Sequence, residues 1–180
     1  MLYYVHGYMS EPDSTKGILL KEKLNAIPIK YRDCPPEDLV ISDCVERIVE
    51  KIKNDDDVIL IGSSLGGLLA VKTAKICKNV KKLILLNPAI IPGDVDVTTI
   101  HDMPLRILNE MKDPCLFEEK INADIDIIVG TLDNVVPNGW SINFAKHQQA
   151  IIHFLCDDHR LTKNINQLPD IIQSIIGRKH

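Results

Sequence analysis

Val58-Ile59-Leu60-Ile61-Gly62-Ser63-Ser64-Leu65-Gly66-Gly67 decides the fold. Residues 58–61 are continuously apolar, as expected of a strand covered on both sheet faces. Residues 65–77 carry a helical pattern. Between them, Gly62-Ser63-Ser64-Leu65-Gly66 has to turn strand into helix within a few residues. Glycine two residues to either side of Ser64 leaves no Cβ to collide with the serine in a strained turn. That turn lifts the Ser64 hydroxyl off the sheet. It also sets the Leu65 N–H at a helix N-terminus, where it can face developing negative charge.

Outward from this turn, short β-rich runs alternate with helical patterns. Residues 2–6, 27–31, 80–86, 125–129 and 150–155 read as further strands, the second of them an edge strand because it tolerates Pro28. Residues 14–25, 36–54, 138–146 and 168–176 read as helices. In the longest, Ile41, Cys44, Val45, Ile48, Val49 and Ile52 share one face, and Pro36 suits a first helical turn. Asp55-Asp56-Asp57 ends that pattern as a solvated turn, with a cation cluster as the lesser alternative. The alternation predicts one α/β domain over residues 1–180, a mostly parallel sheet of about six strands with helices on both faces. Ligands of such sheets sit at the carboxyl ends of the strands. The polar residues expected there are His6, Ser63, Ser64, Asn87, Asp133 and His159.

Composition narrows the function classes. The 180 residues are 45% hydrophobic and 26% charged, enough for a real core. A formal net charge of -4 gives no basic surplus for nucleic acid or an anionic membrane. The first residues lack the charged and apolar regions of a signal peptide, and no apolar run approaches a membrane span. Five scattered cysteines, Cys34, Cys44, Cys77, Cys115 and Cys156, form no C-x-x-C pair. They argue against a disulfide framework or a zinc site and for a cytoplasmic protein, with Cys44, Cys77 and Cys156 expected as small buried hydrophobes.

A serine hydroxyl needs an imidazole to take its proton, and the imidazole needs a carboxylate to fix its tautomer. After a strand–Gly-x-Ser-x-Gly–helix turn the expected chain order is Ser, acid, His. Asp133 follows the strand ending near Gly130, and His159 follows the strand ending near Cys156. The competing readings are a loop-capping aspartate and a surface histidine. Asp157-Asp158-His159 as a metal cluster lacks supporting ligand spacing. His101, His147, His153 and His180 are weaker candidates for the base. His6-Gly7-Tyr8 leaves the first strand directly. There the Tyr8 N–H would be a second oxyanion donor, and His6 would order the loop.

Taken together, Tyr4-Val5-His6-Gly7-Tyr8, Gly62 to Gly67, Asn87-Pro88-Ala89 and the two late loops resemble the α/β-hydrolase superfamily over essentially the whole chain, and within it the small YqiA-like esterases. The resemblance implies a cofactor-free, metal-free carboxylic-ester hydrolase. Ser64 would be nucleophile, Asp133 acid, His159 base, and the Tyr8 and Leu65 amides the oxyanion donors. Asp157-Asp158 stand where glycine is common in such loops, and the chain starts at the strand of the oxyanion loop, implying a reduced sheet. Residues 92–122 leave room for a small lid. Met103, Leu105, Ile107, Leu108 and Met111 would either form its underside or pack on the sheet.

The resulting expectation is a serine hydrolase that cleaves a short-chain acyl ester through an acyl-enzyme, with a small-molecule ester or thioester as its partner. A thioesterase or other triad-dependent acyl hydrolase, or a non-catalytic binding protein on the same scaffold, is the alternative. Oligomeric state has no mark in the sequence.

Overall fold

The computed structural model describes residues 1–178. Six strands form one parallel sheet in the order β2-β1-β3-β4-β5-β6. They are β1 (Leu2–Val5), β2 (Ile27–Ile29), β3 (Val58–Ser63), β4 (Val80–Leu86), β5 (Asp124–Gly130) and β6 (Ile151–Leu155). The expected strand count, parallel sense and edge position of the Pro28 strand are all observed. A parallel sheet needs helical crossovers, and they supply its two covers. The helices are α1 (Thr15–Leu24), α2 (Ile41–Ile52), α3 (Leu65–Ile76), α4 (Leu105–Met111), α5 (Asn138–Gln148) and α6 (Leu168–Gly177).

Alternation along the strands sorts the core into two layers. Leu60, Leu83, Leu85, Ile127 and Val129 face α2, α3, α4 and α5 in the larger layer. Tyr4, Ile61, Ile84, Leu86 and Ile128 face α1 and α6 in the smaller one. Sheet and helices thus lock one register, since a one-residue slip would exchange the layers.

Two sequence expectations need correction. The long helix over residues 36–54 is divided into a 3-10 turn at Pro36–Asp38 and α2 from Ile41. Leu39 and Val40 between them are extended, which turns Leu39 fully into the core. The broken backbone is satisfied from α4: Arg106 donates to the Glu37 and Leu39 carbonyls at 2.7 Å each, and Glu110 accepts from the Ile41 N–H at 2.8 Å. Tertiary partners from α4 therefore replace helical bonds that the periodicity alone would favour. The second concerns the cysteines. Cys44 is buried, but Cys77 is half-buried and Cys156 exposed, because Cys156 follows an edge strand with a single neighbour.

Within residues 92–122, Ile107, Leu108 and Met111 are buried in the larger core layer, Met103 packs against it, and Leu105 is exposed. Gln148 of α5 braces the same stretch, donating to the Leu116 and Glu119 carbonyls at 2.8 Å and accepting from the Ile121 N–H at 3.0 Å. Among the described residues no helix is long and apolar enough to cross a membrane.

Candidate functional site

β1, β3, β4, β5 and β6 all run the same way, so the residues after them gather at one pole of the sheet. Ser64 follows β3 and takes φ 54° and ψ -119°, a conformation that costs a non-glycine residue roughly 1–3 kcal/mol. Its backbone is held on both sides: its N–H donates to the Leu86 carbonyl at 2.9 Å, and its carbonyl accepts from Gly67 and Ala89 at 2.9 and 3.0 Å. The flanking glycines answer a different contact from the one inferred in sequence. A Cβ on Gly66 would run into the Val5 and His6 carbonyls of the β1 exit, and one on Gly62 into Gly66 and Gly67 themselves. The glycines therefore let α3 start against β1 rather than clear space around the serine side chain.

Asp133 and His159 meet. The His159 Nδ1 lies 2.7 Å from Asp133 Oδ2, with the two side chains 16% and 1% exposed. A carboxylate only accepts, so Nδ1 carries the proton and Nε2 is left as the acceptor. The other carboxylate oxygen accepts from the Val135 and Val136 N–H groups at 2.8 and 2.9 Å. Asp133 thus caps its own loop and holds the imidazole, so the two readings open in the sequence are both occupied by one side chain.

β6 lies three strands from β3, about 14 Å at normal strand spacing. The loop after β6 narrows that gap by folding back over β5 to the end of β4. The Asp157 carbonyl accepts from Leu132 at 2.9 Å, and Asn87, at the end of β4, donates its side-chain amide to the Asp158 and His159 carbonyls at 3.2 and 2.9 Å. The Asn87 Oδ1 accepts from the Gly130 N–H at 2.7 Å. One buried side chain, two residues from the Ala89 that bonds Ser64, therefore ties acid loop and base loop together.

Asp157 shapes the rest of the base loop. It is buried and accepts four bonds, from the Asp158 N–H (2.8 Å), Lys163 N–H (3.1 Å), and the Asn164 N–H and Nδ2 (2.8 Å each). Burial raises its pKa, but the bonds from Asn164, Lys163 and Asp158 together outweigh it and hold the carboxyl below its ordinary value. Leu161, at φ 55° and fully buried, plugs the same loop into the smaller core layer. The sequence marked Asp157 as a departure from glycine and as a member of a metal cluster that lacked supporting spacing. Seven residues separate it from Asn164, but the segment between them is loop and not helix, so that spacing did not reveal the bond.

On the other flank, His6 is fully buried, stacks on Tyr31 with ring centroids 4.2 Å apart, and bonds the Gly7 carbonyl through Nδ1 at 2.9 Å. Burial pushes its pKa down, so the ring is neutral, with a loop-ordering role as expected. Among the described residues neither the Tyr8 nor the Leu65 N–H donates to another group of the chain. The weaker histidines lie elsewhere: His101 in an exposed connection, His147 against Phe117, and His153 on buried Asp126 at 2.8 Å. His180 lies outside the described residues. Around the same pole, Met9, Leu132 and Val135 are exposed apolar side chains, 78%, 65% and 55% accessible. Among the described residues no group of three or more His, Cys, Asp or Glu side chains is arranged to hold a metal ion.

Solved structures share this architecture. Est1E from Butyrivibrio proteoclasticus, solved with ferulic acid bound, superposes with a TM-score of 0.78 at 19% identity, covering 97% of this chain and 87% of that one. Mouse alpha/beta hydrolase domain-containing protein 10 gives 0.76 at 18%, covering 97% and 88%. The Pyrococcus furiosus esterase Pf2001 gives 0.71 at 16%, covering 98% and 80%. At such identities the likeness establishes the α/β-hydrolase fold. No curated protein matches the chain. Residues 1–175 do match a family defined by its sequences, and the chain accordingly belongs to the Uncharacterised protein family (UPF0227), on an α/β-hydrolase fold.

Proposed function

We propose that the protein is a serine hydrolase of carboxylic esters, working through an acyl-enzyme. What supports this reading is a strained Ser64 after β3 and a 2.7 Å His159–Asp133 pair in the loops after β6 and β5, all at the same pole of the sheet, with Asn87 tying those two loops together. Ser64 Oγ attacks the ester carbonyl while His159 Nε2 takes its proton. Asp133 stabilises the resulting imidazolium. The Tyr8 and Leu65 N–H groups receive the oxyanion. As the tetrahedral intermediate collapses, His159 returns the proton to the leaving alcohol and the acyl group stays on Ser64. Water, deprotonated by His159, then attacks the acyl carbonyl and releases the acid, restoring the serine.

Two structural neighbours support an ester substrate by what they are: one an esterase, one solved with ferulic acid bound. The exposed Met9, Leu132 and Val135 support an apolar guest, and residues 92–122 are read as a short cover beside it. Five free thiols support a reducing compartment, the cytoplasm.

The test is labelling with a fluorophosphonate probe followed by mass mapping, alongside a panel of activated esters and thioesters. Labelling confined to Ser64 is expected, with turnover lost by about 10⁴-fold or more in Ser64→Ala and His159→Ala. Undiminished turnover in folded Ser64→Ala would sink the proposal. Preference within the panel decides between ester and thioester.

A further inference from the structure

β1 and β2 leave the sheet side by side, with Val5 paired to Ile29, so residues just beyond β2 stand next to residues 6–8. Tyr31 uses that position. It is fully buried, and its hydroxyl lies 3.1 Å from the Gly7 carbonyl and 3.2 Å from the His6 carbonyl, sharing one hydrogen between them. The His6 Nδ1–H reaches the same Gly7 oxygen at 2.9 Å. The Gly7 carbonyl therefore has two side-chain donors behind it.

Gly7 C=O and Tyr8 N–H belong to one planar trans peptide and point in opposite directions. Gripping the oxygen from behind fixes where the N–H is aimed. The two donors also polarise the peptide, which makes its N–H the stronger donor. Arg32, its guanidinium buried, holds the following peptide. Its Nη2 donates to the Tyr8 carbonyl at 3.3 Å and the Ser10 carbonyl at 2.8 Å and pairs with Glu11 at 2.9 Å. Residue 8 is thus fixed on both sides by consecutive side chains from the β2 exit.

We propose that Tyr31 is a positioning residue, aiming the Tyr8 N–H at the oxyanion by holding the Gly7 carbonyl; this rests on the hydrolase reading above. Tyr31 touches no substrate atom and acts through the peptide. Burial pushes its pKa upward, so the hydroxyl remains a donor throughout the neutral range.

Tyr31→Phe removes the hydroxyl and keeps the ring that stacks on His6. Loss of an entire oxyanion donor costs about 10²–10³ in rate. With the His6 bond retained, kcat should fall about tenfold, while KM for the same activated ester stays within about twofold. Affinity for a trifluoromethyl ketone, which forms the oxyanion on Ser64, should fall in parallel with kcat. The proton shift of the Tyr8 amide in that complex should move upfield. para-Aminophenylalanine at position 31 supplies a donor again and should restore most of kcat. The inference is overturned if Ser64-dependent turnover and inhibitor affinity are unchanged in Tyr31→Phe. It is equally overturned if kcat falls together with melting temperature while the Tyr8 amide shift stays put. A wild-type chain that neither labels at Ser64 nor turns over any ester overturns the hydrolase reading itself, a result distinct from both.

Discussion

Asn87→Ala tests the way the site is assembled. Asn87 makes three side-chain bonds between elements that the sheet alone leaves apart: to the Gly130 N–H, the Asp158 carbonyl and the His159 carbonyl. Alanine leaves the buried Gly130 donor unsatisfied, a penalty of about 1–3 kcal/mol, and removes two donors worth roughly 0.5–1.5 kcal/mol each. Asn87 also sits at φ 44°, a left-handed backbone that asparagine tolerates and alanine resists by about 1 kcal/mol. Together these give a destabilisation of about 5 kcal/mol. For a chain of this size that lowers the melting temperature by roughly 15 °C.

The same substitution should lower kcat more than the loss of folded protein explains. The His159 backbone loses its tether to β4, and a displacement near 1 Å costs on the order of 10²-fold in rate. Asn87→Asp separates the contributions, because it can keep the acceptor for Gly130 but sets an oxygen against the Asp158 and His159 carbonyls. The assay is thermal denaturation paired with ester hydrolysis per folded molecule. A melting temperature within about 2 °C of wild type in Asn87→Ala, with unchanged kcat, would refute the bridging role. So would an Asn87→Asp variant that behaves as wild type.

Gly66→Ala drives a methyl into the Val5 and His6 carbonyls, both backbone and unable to yield, so it should cost several kcal/mol and be read as insoluble or early-melting protein; a wild-type melting curve contradicts the packing argument. Lowering pH should weaken the fold in two stages. His6 is held below its ordinary pKa, so its share of stability is complete above about pH 6.5 and declines as pH falls through that value. Asp157, also depressed, contributes fully above about pH 4 and is lost as pH falls through its folded pKa. Urea midpoints measured from pH 8 to pH 3 check both, and a His6→Phe variant should lack the first stage. Leu132→Asp should raise KM for a hexanoate ester by about fivefold and leave acetate nearly unchanged, since only the longer chain reaches an apolar rim; equal effects on both esters count against that subsite.

The elbow is legible in sequence because it is one contiguous run with a local contact in it: a Cβ on Gly62 would meet the backbone of Gly66 and Gly67, four and five residues on. The Ser64, Asp133, His159 order is legible because each follows an apolar run, and parallel strands put those run ends at one pole. What escaped is contact between segments far apart in the chain. The break at Leu39 depends on Arg106 and Glu110, some seventy residues away, which no local period encodes. Asp157 and Tyr31 escaped for a related reason. Each bonds mainly to backbone, and a backbone partner leaves no complementary residue type in the sequence.

That preference for backbone partners follows from where the site lies. Strand-end loops carry less apolar surface than the sheet, and where one is packed, as at Leu161, the core pins a point of the loop and not its whole path. A side chain that captures a carbonyl or an N–H fixes the path of the chain directly, whatever the neighbouring side chains are. Asn87, Asp133, Asp157, Tyr31 and Arg32 all work this way. The longest reach shows why the main chain had to be the thing held. To bring His159 from β6 back toward β3, its loop crosses the end of β5 so closely that a Cβ on Gly130 would stand 2.6 Å from the Asp157 and Asp158 carbonyls. The crossing leaves no room for a side chain at Gly130, so the Asn87 amide and the Leu132 N–H grip the crossing carbonyls. His159 then meets Asp133 because both loops are fastened to the same strand ends.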